Sequence, residues 1–138
     1  MKNGVEDLKI YKLSHELALK IHKMTFSLPK SEIFEEGSQI RRSSKSVSTQ
    51  IVEGYSLRKY KNEFLHYLHR AYSESMETVE HLKYLFETGS LSDKELFNKF
   101  IEEYTELNKM LFCFIESVEQ QHQKPEYVKE DGVLNYTN

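Results

Sequence analysis

Four long stretches of this 138-residue sequence place apolar side chains at three- and four-residue intervals, and very little interrupts them. Over residues 7–27, Ile10, Leu13, Leu17, Ile21 and Met24 fall on one helical face that runs on to Leu28. Pro29 ends this segment, because the residue before a proline resists helical geometry, and Asp7 is the expected N-cap. Over residues 36–57 the inward stripe reads Ile40, Ser43, Ser44, Val47, Ile51, Gly54, Tyr55, small and polar for a core face. Small side chains let neighbouring backbones approach, and serine hydroxyls can bond back to the preceding turn. Residues 61–88 carry Phe64, Leu68, Ala71, Ser75, Val79, Leu82 and Phe86 on one side, and Gly89 follows where a left-handed C-terminal residue belongs. Residues 92–121 open with Ser92-Asp93-Lys94-Glu95, a capping-box pattern, and continue through Leu96, Phe97, Phe100, Ile101, Tyr104, Leu107, Leu111, Ile115 and Val118.

Short connections between long amphipathic helices force antiparallel neighbours. The sequence therefore predicts an all-α protein, an antiparallel up-down-up-down four-helix bundle, as a single domain over residues 1–121. Beyond Pro125 the periodicity stops, and residues 122–138 are expected to form a flexible tail. The five glycines and two prolines agree with few turns, and 38% hydrophobic with 30% charged residues is a soluble globular composition. No apolar run follows the first lysine, so no signal peptide is expected, and no window nears the roughly 18 apolar residues of a membrane helix. A cytoplasmic protein without membrane contact is the expectation. The lone Cys113, within Met110-Leu111-Phe112-Cys113-Phe114-Ile115, reads as a small buried hydrophobe rather than a reactive thiol.

Bundles can hold two metal ions on Glu-x-x-His pairs and further glutamates, and two such pairs occur, Glu63…His66 and Glu119…His122. At ~100° per residue, however, Glu63 and His66 point away from the Phe64/Leu68/Ala71 stripe, and His122 follows the helical pattern's end. The remaining histidines scatter, and no phosphate-binding glycine loop, H-E-x-x-H or Gly-x-Ser-x-Gly pattern is present. No metal, no cofactor and no catalytic residue are expected, which makes the chain a non-enzyme.

Charge is the stronger signal. Residues 39–61 carry Arg41, Arg42, Lys45, Arg58, Lys59 and Lys61 against Glu53 alone, whereas residues 62–121 carry five bases against twelve acids. Arg41, Lys45 and Lys59 are expected on one outer side of the second helix, with Arg42 adjacent. Three readings of this stripe stay open. It contacts phosphates of RNA or DNA, it pairs with the acidic half of a neighbouring copy in a head-to-tail ring, or it is simply solvated.

The same helix carries a resemblance. Ser38-Gln39-Ile40-Arg41-Arg42 followed by Ser46-Val47-Ser48-Thr49-Gln50-Ile51-Val52-Glu53-Gly54-Tyr55 resembles the signature of the 23S rRNA-intervening sequence protein family, and Phe64-Leu65-His66-Tyr67-Leu68 resembles its third-helix pattern. Where that family has proline, asparagine and alanine, this chain has Ser48 (or Thr49), Gln50 and Val52. The resemblance spans about residues 7–121. It implies a four-helix bundle assembled as a homopentameric ring, with relatives that bind a reverse transcriptase and nucleic acid. On it, Gln39, Ser46, Glu53 and Gly54 become candidate structural or subunit-contact residues: Gly54 for close helix packing, Glu53 as an arginine partner. Arg41 and Arg42 also match that signature, and with Lys45, Arg58, Lys59 and Lys61 they are the candidate nucleic-acid contacts that the charge pattern offers. The alternative is a structural scaffold or protein-partner adaptor whose basic face lies in subunit contacts.

Overall fold

The computed structural model of the protein describes residues 4–121, so the tail expected over residues 122–138 lies outside the described residues. A short 3-10 turn, Val5–Asp7, leads into α1 (Lys9–Thr25), the one-turn α2 (Lys30–Ile33), α3 (Glu36–Ser56), α4 (Lys61–Glu87) and α5 (Lys94–Gln120). Among the described residues there is no strand, and no helix is long and apolar enough to cross a membrane. The four long helices pack in the cyclic order α1, α3, α4, α5, with α5 returning against α1. Contacts between opposite ends of consecutive helices fix the antiparallel sense: Arg41 near the start of α3 meets Thr25 at the end of α1. Likewise Lys61 at the start of α4 meets Glu119 at the end of α5.

The core is built from the periodic positions: Ile10, Leu17 and Ile21 of α1, Ile40, Val47 and Ile51 of α3, Phe64, Leu68 and Leu82 of α4, and Phe100, Tyr104, Leu107 and Leu111 of α5 are all buried. Each aliphatic side chain removed from water contributes about 1.5–3 kcal/mol, so this apolar column dominates the stability of the bundle. In α4 the buried stripe passes through Thr78 and Leu85, while Val79 and Phe86 are only half-buried. Thr78 can face the core because its hydroxyl donates to the Glu74 carbonyl at 2.9 Å and hydrogen-bonds Ser43 of α3 at 2.8 Å. The small polar stripe of α3 is thus a hydrogen-bonded seam with α4, extended by Ser75 of α4, whose hydroxyl donates to Asn108 of α5.

Two helix ends and one side chain within α5 differ from the sequence expectation. Leu8, not Asp7, occupies the N-cap of α1, because Asp7 is held in the preceding 3-10 turn, its backbone N–H donating to the Gly4 carbonyl at 3.0 Å. Asp93, not Ser92, caps α5, accepting the Leu96 amide at 3.0 Å. Cys113 is exposed, correcting its reading as a core residue. The inward face of α5 at that level is taken by Leu111, Phe114 and Ile115, and Phe112 and Cys113 fall on the outer side. Gly89 follows α4 with φ +86°, and the Leu91 amide closes the turn on the Leu85 carbonyl at 2.9 Å, as a left-handed helix terminus requires.

Candidate functional site

The basic segment begins where the chain folds back from α1 through α2 into α3. Gly37 makes the turn possible: a Cβ there would stand 2.8 Å from the Glu32 carbonyl oxygen, a contact real side chains do not make. With the backbone so close, Arg41 reaches back instead of outward. Its Nη1 donates to Thr25 Oγ1 at 2.8 Å and its Nη2 to the Ile33 carbonyl at 3.0 Å, while its guanidinium lies 4.8 Å from the Phe26 ring centroid. Arg41 is therefore a clamp joining α1, α2 and α3. This corrects its expected place on the outer stripe, and the physical reason is the pair of acceptors that the folded turn presents.

Two further cations are also engaged within the chain. Arg58 Nη1 donates to the Tyr55 carbonyl at 3.0 Å and its guanidinium stacks 4.1 Å over the Tyr55 ring. Lys61 Nζ donates to the Glu119 carbonyl at 2.7 Å, satisfying an orphan group in the last turn of α5. That leaves Arg42, Lys45 and Lys59 at the surface. The Arg42 side chain is 62% exposed and sits 3.5 Å from Glu77 of α4, and Lys45 and Lys59 make no ion pair among the described residues. Arg42 and Lys45 are helical neighbours, but about 20 Å of α3 separates them from the turn that carries Lys59. The six cations of the basic segment are divided into an internal set and a surface set, and Arg41 does not share one outer side with Lys45 and Lys59.

The other candidates on α3 separate in the same way. Gly54 is buried, and a Cβ on it would lie 3.0 Å from Tyr67 Cβ and 3.4 Å from the Phe64 carbonyl oxygen, so glycine sets the close approach of α3 and α4. Ser46 is half-buried and its carbonyl accepts the Thr49 hydroxyl at 3.0 Å. Gln39 is exposed beside Glu32, Glu35 and Tyr84, at the end of the bundle where α2, α3 and α4 meet. Glu53 is exposed and, with Lys45, lines a groove of about 490 Å³ between α1 and α3 whose walls include Tyr11, Ala18, Leu19, Ser48 and Val52. Leu19 is 59% and Val52 41% exposed there. Across the molecule a second groove, about 390 Å³, runs between α4 and α5 beside Tyr72, Asn108, Phe112 and Cys113. In the cyclic order of helices these two seams lie on opposite sides of the bundle.

One cluster escaped the sequence reading. His81 of α4 bridges Glu36 of α3 through Nδ1 and Glu77 of its own helix through Nε2, the latter at 3.2 Å, and Glu77 also meets Arg42. The Glu77/His81 spacing of four residues was visible, but Glu36 lies 45 residues away and only the fold brings it in. Tyr104 stands in the core with its hydroxyl unpartnered among the described residues, and burial, aided by nearby Glu103, pushes its phenol well above the usual range. Of the two Glu-x-x-His pairs, Glu63 and His66 are exposed, Glu119 is 3.6 Å from His69, and His122 lies outside the described residues. Among the described residues no group of three or more His, Cys, Asp or Glu side chains could hold a metal ion.

Fold and surface together define an all-α protein of four long helices whose charged and apolar features gather on helix faces and grooves. The chain belongs to the 23S rRNA-intervening sequence protein family, whose model matches residues 6–113. It is similar to a crystal structure of a protein of unknown function from the S23 ribosomal protein family of Bacteroides thetaiotaomicron, at 27% identity and a TM-score of 0.68. The match covers 77% of this chain and 94% of that one. A comparison with curated proteins finds no match.

Proposed function

We propose that this protein is a non-enzymatic, self-assembling four-helix bundle, a homopentameric ring, that associates with RNA or a ribonucleoprotein in the cytoplasm. The observation that carries the reading is the surface set of Arg42, Lys45 and Lys59, exposed on a segment that holds a single acid. A ring repeats that set around its axis, and repeated cations displace counterions from a phosphate backbone in proportion to the contacts made. Self-assembly is supported by the α1/α3 and α4/α5 grooves: two different apolar surfaces on opposite sides are what a head-to-tail contact needs, and such contacts close into rings.

A second reading has its own observation. Lys45 stands on the wall of the α1/α3 groove, so a neighbouring copy seated there would cover it and leave a scaffold or protein-partner adaptor with little basic surface. Fluorescence-anisotropy titration with structured RNA and duplex DNA at about 50 and 200 mM salt separates the two, since phosphate-driven affinity falls steeply across that range. The nucleic-acid reading expects salt-sensitive binding that disappears in an Arg42→Glu, Lys45→Glu, Lys59→Glu variant of unchanged mass and helicity. Absence of binding by the intact assembly would overturn it and favour the scaffold.

A further inference from the structure

The seam between α1 and α5 is open along one end of the bundle, forming a groove of about 500 Å³. Its walls are two helical stripes of the same spacing: Lys20, Lys23 and Met24 from α1 face Leu96, Lys99 and Phe100 from α5. Met24 and Phe100 are buried and form the floor, Leu96 is half-buried, and the three lysines are exposed along the rim. One acid, Glu103, accompanies them, 3.8 Å from Lys20, a half-exposed pair of the kind that contributes little to stability. Lys23 and Lys99 make no ion pair among the described residues. The other grooves differ in charge: α1/α3 offsets Lys45 with Glu53, and the end groove of α2, α3 and α4 carries Glu32, Glu35 and Glu36. The α4/α5 groove has a single cation, Lys109, whereas the α1/α5 groove gathers three lysines and one acid around its apolar floor.

We propose that the α1/α5 groove is a binding site for a free single-chain amphiphile with an anionic head, a long-chain carboxylate, its alkyl chain on Met24, Leu96 and Phe100 and its carboxylate among Lys20, Lys23 and Lys99. A mostly apolar trough with few charged groups at its edge is the usual make-up of a small-ligand site, and its volume falls in the usual range of about 300–1,000 Å³. The three lysines are exposed, so a carboxylate meets their ammonium groups without desolvating a buried charge. The site uses neither the α3 cations nor the two seams assigned to assembly.

The test is displacement of a dansylated undecanoic acid from the full-length protein by dodecanoate, kept below its micelle concentration. Dodecanoate is expected to displace the probe, and dodecanol, which lacks the charge, to do so about tenfold less well. A Lys23→Glu, Lys99→Glu variant should weaken dodecanoate binding by about tenfold or more, while Lys45→Glu, Lys59→Glu leaves it unchanged. Circular dichroism confirms that both variants are folded. Failure of dodecanoate to bind, equal binding of dodecanol, or equal loss in the two variants would each overturn the proposal.

Discussion

The α3/α4 seam and the α1/α5 seam belong to the same bundle but are held by different means. Between α3 and α4, small residues bring the backbones together at Gly54, the buried hydroxyls of Ser43 and Thr78 bond each other, and Glu36, His81, Glu77 and Arg42 link the surface above them. Between α1 and α5 the link at one end is the Lys20–Glu103 pair at 3.8 Å over an open groove. Polar contacts that are buried and satisfied specify one arrangement of the helices, because leaving either partner alone costs about 1–3 kcal/mol. An exposed ion pair specifies almost nothing. The difference teaches that the helix with the least apolar inward face is the one most firmly positioned, and that the open seam is free for something else.

Enlarging the close seam is expected to have the largest effect. Gly54→Leu drives a side chain into Tyr67 and the Phe64 backbone and should cost about 3 kcal/mol in urea unfolding. Arg41→Ala removes two charge-assisted hydrogen bonds and a ring contact at the α1–α2–α3 turn, and about 2 kcal/mol should be lost. If Arg41→Ala were neutral in stability yet abolished RNA binding, the clamp assignment would be wrong. Tyr104→Phe should stabilise by about 1 kcal/mol, because it deletes a buried hydroxyl that has no partner among the described residues. At the bottom of the scale, Lys20→Ala should change stability by less than about 0.5 kcal/mol.

Tyr104 also gives the comparison a pH axis. Its folded-state phenol is held well above the unfolded value near 10, so the unfolded chain gives up this proton first as pH rises. The stability tied to the neutral phenol is complete below about pH 10 and is lost progressively above it. Melting temperatures should therefore fall more steeply above pH 10 in the wild type than in Tyr104→Phe, and parallel curves would refute the assignment.

The architecture was legible because period alone places Ile10, Leu17, Ile40, Val47, Leu68 and Leu107 inward, and short connections leave few ways to stack four amphipathic helices. Thr78 was missed in favour of Val79 because a threonine reads as surface until its partners, the Glu74 carbonyl and Ser43, are known. Cys113 was misplaced by an apolar run longer than the stripe that it feeds. The basic set was legible as composition but not as geometry. Nothing local to Arg41 reveals that Thr25 and the Ile33 carbonyl will face it once α2 folds over, and the same holds for Lys61 and the end of α5. Long, flexible cations find their acceptors through tertiary structure, so a count of lysines and arginines on a helix overstates what remains for a partner.

The proposal that the protein works by association is tested most directly by its mass in solution, measured by light scattering on the full chain at moderate salt. A ring of five copies gives five times the 16.4 kDa of one chain, and Leu19→Glu with Val52→Glu in the α1/α3 groove should return it to a single copy without loss of helicity. A wild-type mass of 16.4 kDa would contradict the account.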